Sequence, residues 1–439
     1  MSDCCEPGMP TPAGTTLSRR SFLSRSAGLG VAVFGGKLLS AAAFDEGIAA
    51  AQAAGTDRVL VSVFLPGGID SMTLLAPVGH SAYASLRPTL RVQQSSNALD
   101  RFSEDPTLQW HPNAAPLRDL HRAGKLTVMP GIGYTDPNQS HFTSRHYWEV
   151  GELDPTGRVG WLGRYLDRHG RPDNPLQGLA LSYRLAPALA PASVPVAAVG
   201  APEDYELWTR DVWDRGLVDK LMRGWGDLGK LPTGDAELAA ARGATRMTTV
   251  LRDQLAPVQS ATPYASAPVP YPSGGHEFPR RLAALAHMLA LGLPVRCVAL
   301  EANGGYDTHD NQAATLPQNI DLLSRSLAAF QKDLEHRGLA DRVLVHVWSE
   351  FGRRAKENGS GTDHGAGGVS LVMGTKASGR MVGQFPGIGP SQLDSGGNLK
   401  HSTDFRAVYR GLVEQWFGVD ATGIVPDAAK FPAPTLVKA

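Results

Sequence analysis

Cysteine is nearly absent from this chain. Cys4 and Cys5 lie in its first few residues, which leaves Cys297 as the single one beyond them. One thiol closes no intramolecular disulfide, so the body of the protein is held by its core alone. An excess of charge is absent too, because 42 Lys and Arg oppose 42 Asp and Glu. That balance argues against a nucleic-acid footprint and leaves a small anionic substrate open. Long apolar runs are also lacking. Ala27 to Ala43 is short and interrupted by glycines and Lys37, a poor permanent membrane span, and no other window approaches 18 apolar residues. A Gly-x-Ser-x-Gly elbow and a phosphate-binding P-loop are missing as well, which turns attention from serine-hydrolase and nucleotide chemistry towards metal chemistry.

What is present begins with a leader. SerArgArgSerPheLeu (18–23) has the form of a twin-arginine export signal, and the apolar Ala27–Ala43 stretch follows it. Small-residue cleavage candidates stand at 41–43 and 51–53. Residues 1–55 are therefore expected to stand apart from the fold, and the remainder to be periplasmic or secreted, exported already folded. The only partner this part of the chain implies is the twin-arginine export machinery.

Beyond the leader, short apolar strands alternate with helical segments. Strands are expected at 58–66, 126–130, 178–182, 194–199, 295–301, 342–348 and 369–373, with helices at 280–292, about 316–337 and 404–417. Such alternation predicts an α/β protein with a doubly wound, mostly parallel sheet. Residues 203–254 change to a helical texture, and 255–279 are rich in Pro, Ser and Ala. The expected organisation is a core in two parts, 56–200 and 280–439, divided by a helical insertion and linker at 201–279. Cys297, in an apolar strand, is expected to pack.

Chemistry-bearing side chains gather where strands give way to Gly-rich loops. LeuProGlyGlyIleAsp ends at Asp70, GlyGlyTyrAspThrHisAsp carries Asp307 and His309, TrpSerGluPheGly carries Glu350, and GlyThrAspHisGly carries Asp363 and His364. In an open α/β sheet, ligands bind at the carboxyl ends of the strands, so these oxygen and imidazole donors suggest a metal-assisted hydrolytic centre. The same residues also serve in ordinary turns and helix caps. AsnGlnSerHisPhe (138–142) places Ser140 and His141 where a loop becomes a helix. A hydroxyl there is a candidate nucleophile with His141 beside it, or else a plain N-cap.

These motifs, with GlyTrpLeuGlyArg (160–164), resemble the bacterial exported proteins of the domain of unknown function 1501 family. That family looks like a distant branch of the alkaline phosphatase and sulfatase superfamily. The resemblance implies an alkaline phosphatase-like core, with Ser140 and His141 catalytic and Asp70, Asp307, His309, Glu350, Asp363 and His364 around a divalent metal, whether zinc, calcium, magnesium or manganese. Phe351 stands where the superfamily places a histidine ligand, so one nitrogen donor is missing from that position. The implied activity is hydrolysis of a small or polymeric phosphate or sulfate ester. Two other readings stand beside it: a non-catalytic envelope protein that binds an anionic glycan, and an exported assembly factor working through residues 203–254.

The paired arginines give the leader reading its test. Changing Arg19 and Arg20 to Lys is expected to strand the precursor in the cytoplasm, because the export receptor reads that pair. Cell fractionation decides it, and processed protein still leaving the cytoplasm would reject the signal.

Overall fold

The structure, a computed structural model, describes residues 33–34, 58–205 and 214–438. Cys4, Cys5, Arg19, Arg20 and the cleavage candidates lie outside them.

Seven strands build the central sheet: Val59–Phe64 (β1), Leu126–Gly133 (β2), Gly178–Ala180 (β3), Val196–Ala198 (β4), Cys297–Glu301 (β5), Val343–Trp348 (β6) and Gly368–Met373 (β7). Their order across the sheet is β4-β3-β5-β1-β6-β7-β2, with two-residue ladders at each side, Val33–Phe34 beside β4 and Thr403–Asp404 beside β2. The Val33–Phe34 pairing departs from the expectation that residues 1–55 stand wholly apart from the fold. Strand β1 pairs in parallel with β5 and β6, with Leu60 opposite Cys297 and Leu344. Only β7 among the seven reverses, running antiparallel to both β6 and β2.

The sheet is covered on both faces, which is why its strands read as nearly continuous apolar runs. Successive side chains point to opposite faces. Val59, Val61 and Val63 accordingly enter one core, and Leu60 and Phe64 the other. The first core is closed by helices Ala115–Arg122 (α1), Ala236–Leu255 (α5), Glu277–Ala290 (α6) and Gln312–His336 (α7), through residues such as Leu117, Leu251, Leu282 and Leu327. The second is closed by His141–Val150 (α2), Trp161–His169 (α3) and Phe405–Gly411 (α8), through Trp148, Trp161, Leu166 and Tyr409. Cys297 is buried in this second core, where burial pushes its thiol up to about 12 and leaves it a packing residue.

The helical insertion is a hairpin of Arg215–Lys230 (α4) and α5. Its two helices differ in role. Met247, Leu251 and Leu255 of α5 pack into the main core, whereas α4 leaves Leu217, Leu221 and Leu228 exposed. Several expected helix bounds shift, and α6 runs from Glu277 to Ala290 rather than over 280–292. Helix α7 begins at Gln312 rather than about 316, and the last helix closes its α-helical part at Gly411, the turns to Phe417 being wider. Among the described residues no helix is long and apolar enough to cross a membrane.

One core histidine makes stability depend on pH. His346 of β6 is fully buried, with Nε2 3.0 Å from Ser370 Oγ, which itself donates to the Val347 carbonyl. That leaves His346 Nδ1 without a partner. Burial pushes this imidazole down to about 3. The folded form then binds a proton less readily than the unfolded chain, whose histidine titrates near 6.5. This group's contribution is complete above about pH 6.5 and is lost as pH falls towards 3, at roughly 1.4 kcal/mol per pH unit. His346→Gln is expected to flatten the pH dependence of urea unfolding in that window by about that slope. An unchanged slope would show that His346 is not held neutral.

Candidate metal and catalytic site

Four parallel strands end at one edge of the sheet, and the functional loops leave from it. β1 runs into Gly67, Gly68 and Asp70, the loop after β2 leads to His141 at the start of α2, β5 leads to Asp307 and His309, and β6 leads to Glu350. His364 reaches the same edge by the opposite route. GlyThrAspHisGly precedes β7 rather than following a strand, and the reversed direction of β7 puts its beginning where the other strands finish.

Two glycines let these loops touch. Gly67 has φ +114°, and a Cβ there would stand 2.3 Å from the Asp307 backbone nitrogen. Gly68 has φ +71°, and a Cβ would stand 2.4 Å from the Phe351 ring. Only glycine tolerates both the positive φ and the contact. Tyr306 N donates to the Pro66 carbonyl at 2.9 Å, fastening the β5 loop to the β1 loop.

Asp307 is the centre of the cluster. Its Oδ1 lies 3.1 Å from His309 Nε2 and 3.4 Å from His364 Nε2, and its Oδ2 lies 3.3 Å from His141 Nε2. Arg353 donates to Oδ1 as well. Burial alone would raise the Asp307 pKa, but His141, His364 and Arg353 outweigh it and hold the carboxyl far below the usual range. Burial likewise pushes His141 down, yet the Asp307 and Glu350 carboxylates raise it to about 9.

The hydrogen bonds on the far side of each ring set which nitrogen faces inward. His364 Nδ1 is 2.7 Å from the Gln139 carbonyl, which can only accept, so Nδ1 carries the proton and a neutral ring presents a bare Nε2. His141 Nδ1 is 2.7 Å from Glu350 Oε1, and its buried Nε2 has no hydrogen-bond partner, the 3.3 Å contact to Asp307 being poorly aligned for one. His309 Nδ1 faces Asp363 at 3.4 Å. His309 Nε2 and His364 Nε2 are then 2.9 Å apart. With a proton on His309 Nε2 this is a hydrogen bond to His364, and with both Nε2 atoms bare the two nitrogens are close enough to face one cation. Tetrahedral zinc with bonds of about 2.0–2.1 Å separates its nitrogens by about 3.3 Å. One ligating atom each from His141, Asp307 and His364 lie within 4.8 Å of one another. The donor set fits a divalent ion.

The structure separates the other expected residues from this cluster. Asp70 is fully buried and forms a two-bond pair with Arg87, at 2.6 and 3.1 Å. It also accepts from Gln312 Nε2 at 2.6 Å and Thr73 Oγ1 at 2.8 Å. Burial pushes its carboxyl up, but Arg87 prevails and the net shift is downward. Its oxygens are therefore engaged beneath the site, not in it. Glu350 is buried among the amides of Gly67 and Gly68, at 2.9 and 3.1 Å. Asp363 is about half exposed and accepts from Asn358 Nδ2 at 3.0 Å. Ser140 occupies the N-cap of α2, but its hydroxyl makes no capping bond. Phe351 forms a wall, its ring 4.9 Å from that of His141 and 4.8 Å from that of His364. His141 supplies a nitrogen that Phe351 cannot.

From the sequence, Arg87 has no firm role, and Gln312 and Arg353 stand only as members of longer motifs. Each is a long-range partner, and no local spacing marks them. Gln312 Oε1 accepts from both Thr308 and Thr362, at 2.9 and 2.8 Å, so this one amide joins Asp70 to two site loops.

With the geometry in hand, comparison with known proteins places part of the chain. Residues 233–425 match the family described as "Protein of unknown function (DUF1501)". The match spans the Asp307, Glu350 and His364 loops, while Asp70 and His141 lie ahead of it. No curated protein matches the chain. Among solved structures, Ps i-CgsB in complex with k-i-k-neocarrahexaose aligns over 86% of this chain and 75% of its own, at 11% identity and a TM-score of 0.36. The soluble domain of lipooligosaccharide phosphoethanolamine transferase A from Neisseria meningitidis aligns over 90% and 92%, at 12% identity and 0.34. The phosphonate monoester hydrolase of Agrobacterium radiobacter aligns over 82% and 74%, at 11% identity and 0.34. Likenesses this weak carry no argument about activity, and the site is read from its own residues.

The separation of Asp70 from the cluster is testable. Arg87→Ala leaves a buried carboxylate unpaired and is expected to cost about 3–5 kcal/mol of stability. Bound metal per folded chain should stay at the parent level. Loss of metal from a variant still folded by circular dichroism would return Asp70 to the ligand set.

Proposed function

We propose that this protein is an exported, metal-dependent hydrolase of phosphate or sulfate esters. The observation that carries the reading is the convergence of the His141, His309 and His364 Nε2 atoms on Asp307, beside a serine hydroxyl free of capping duty. His141, His364 and Asp307 would hold the ion, with His309 beside them. Two imidazoles and one carboxylate, with a third imidazole beside them, suit zinc better than magnesium or calcium, which prefer all-oxygen sets. When bound, the ion supplies charge neutralisation and lowers the pKa of a nearby hydroxyl or water.

The chain's own groups do the rest. Gln139 and His141 flank Ser140, and both of them touch the cluster. The start of α2 offers backbone N–H groups to an anionic ester. Ser140 Oγ would bond to the phosphorus or sulfur as the alcohol leaves, and water would then release the phosphate or sulfate and restore the hydroxyl. Arg353, locked against Asp307, holds that carboxylate in place for the ion. Export rests on the SerArgArgSerPheLeu segment.

Ser140→Ala is expected to keep its metal and its fold while losing turnover by orders of magnitude. Asp307→Ala should lose the metal itself. Metal analysis, thermal melting and ester hydrolysis on the same samples separate these outcomes. A Ser140→Ala variant with parental turnover would end the nucleophile assignment. A parent protein inert towards a broad panel of phosphate and sulfate esters would end the hydrolase reading.

A further inference from the structure

We infer that Glu350 is a positioning residue of this centre: it fixes His141 as an Nε2 ligand and fastens that imidazole to the Gly67–Gly68 loop, without contacting the ion. The inference rests on the metal reading above and reassigns a residue first expected to be a ligand. Glu350 is only 2% exposed. Its Oε1 accepts from His141 Nδ1 at 2.7 Å and from Gly67 N at 2.9 Å. Its Oε2 accepts from Gly68 N at 3.1 Å and lies 3.0 Å from Ser349 Oγ. His141 Nδ1 and the two glycine amides engage both oxygens, and the single Ser349 hydroxyl proton lies between Oε2 and the nearer Leu65 carbonyl. Both oxygens are turned to these donors, and His141 is the only side chain of the cluster that Glu350 bonds.

Both ends of this link are rigid. Gly67 presses against the Asp307 backbone and Gly68 against the Phe351 ring, so the loop that Glu350 holds is itself wedged into the site. Ser349 Oγ, which donates to the Leu65 carbonyl at 2.7 Å, accepts from Ile69 N at 3.1 Å and closes the loop from the other side. A carboxylate behind a ligating histidine sets the ring's orientation and raises its basicity, and loss of such a partner typically weakens metal binding 10–100-fold. Glu350 does this for His141 from the most enclosed wall of the site, where the Gln139 carbonyl serves His364 and the exposed Asp363 serves His309.

A double-mutant cycle on the full exported chain, with zinc as the probe, tests this. Glu350→Gln is expected to bind one zinc per chain, as the parent does, 10–100-fold more weakly by competition with a chromogenic chelator. In the His141→Ala background the same change should cost less than about twofold, because the residue it acts through is gone. Complete loss of zinc from Glu350→Gln, or a full penalty persisting beside His141→Ala, would show that Glu350 is itself a ligand and overturn the inference alone. A parent that binds no zinc would overturn the metal reading beneath it. Should Glu350→Gln fail to fold, nitrogen-15 histidine spectra of the zinc-loaded parent decide the matter. They should show His141 protonated at Nδ1 and metal-shifted at Nε2, and the reverse assignment would overturn the inference.

Discussion

The buried guanidinium of Arg353 is the interaction on which the rest of the site depends. It donates to the carbonyls of Gly68 and Thr362, each at 2.8 Å, to those of Gly67 and Tyr306, and to Asp307. Loops following three different strands are thus tied to one planar cation with no solvent access. A guanidinium suits this role because its five donors stand in a fixed fork and its charge is not lost on burial. The arrangement is specific in one further way. Among the described residues its only carboxylate partner is Asp307, so the charge that secures the scaffold also secures the residue at the centre of the cluster.

Beneath it lies a second buried pair. Asp70 and Arg87 neutralise each other, and Gln312 connects them to Thr308 and Thr362 on the two loops that carry His309 and His364. Two layers therefore support one cluster: Arg353 holds the loops by their backbones, and Asp70 holds them through side chains. Removing water from so many polar groups is tolerable because most of them find a partner, Ser71 Oγ, Tyr306 OH and Arg354 Nε being exceptions nearby. The orphan that remains at the centre, His141 Nε2, is the atom a ligand would satisfy.

The sheet was readable because its strands are apolar and β-branched on both faces, as a doubly covered sheet requires. Asp307, His309 and His364 were readable because a Gly-rich loop at a strand end with Asp and His beside it has few better uses. Asp70 looked the same from its neighbours, and nothing local announced that Arg87, in a loop of its own, would claim it. The surroundings of Glu350 were hidden for the same reason, since its partners are amides contributed by residues far away in sequence. The direction of β7 was also hidden. Apolar alternation is identical in parallel and antiparallel strands, so the pattern could not tell whether His364 entered the site after a strand or before one.

The cluster has a closed wall and an open one. Glu350 and the Phe351 ring shut the side of His141, while Asp307, His309 and Asp363 each leave between 43% and 49% of their side-chain surface to solvent. The widest solvent contact of the cluster is along the His309–Asp363 rim, while His141 keeps 28% of its side-chain surface exposed. The donors that meet solvent most are thus the ones with the fewest protein partners behind them, and a ligand arriving along the rim meets these first.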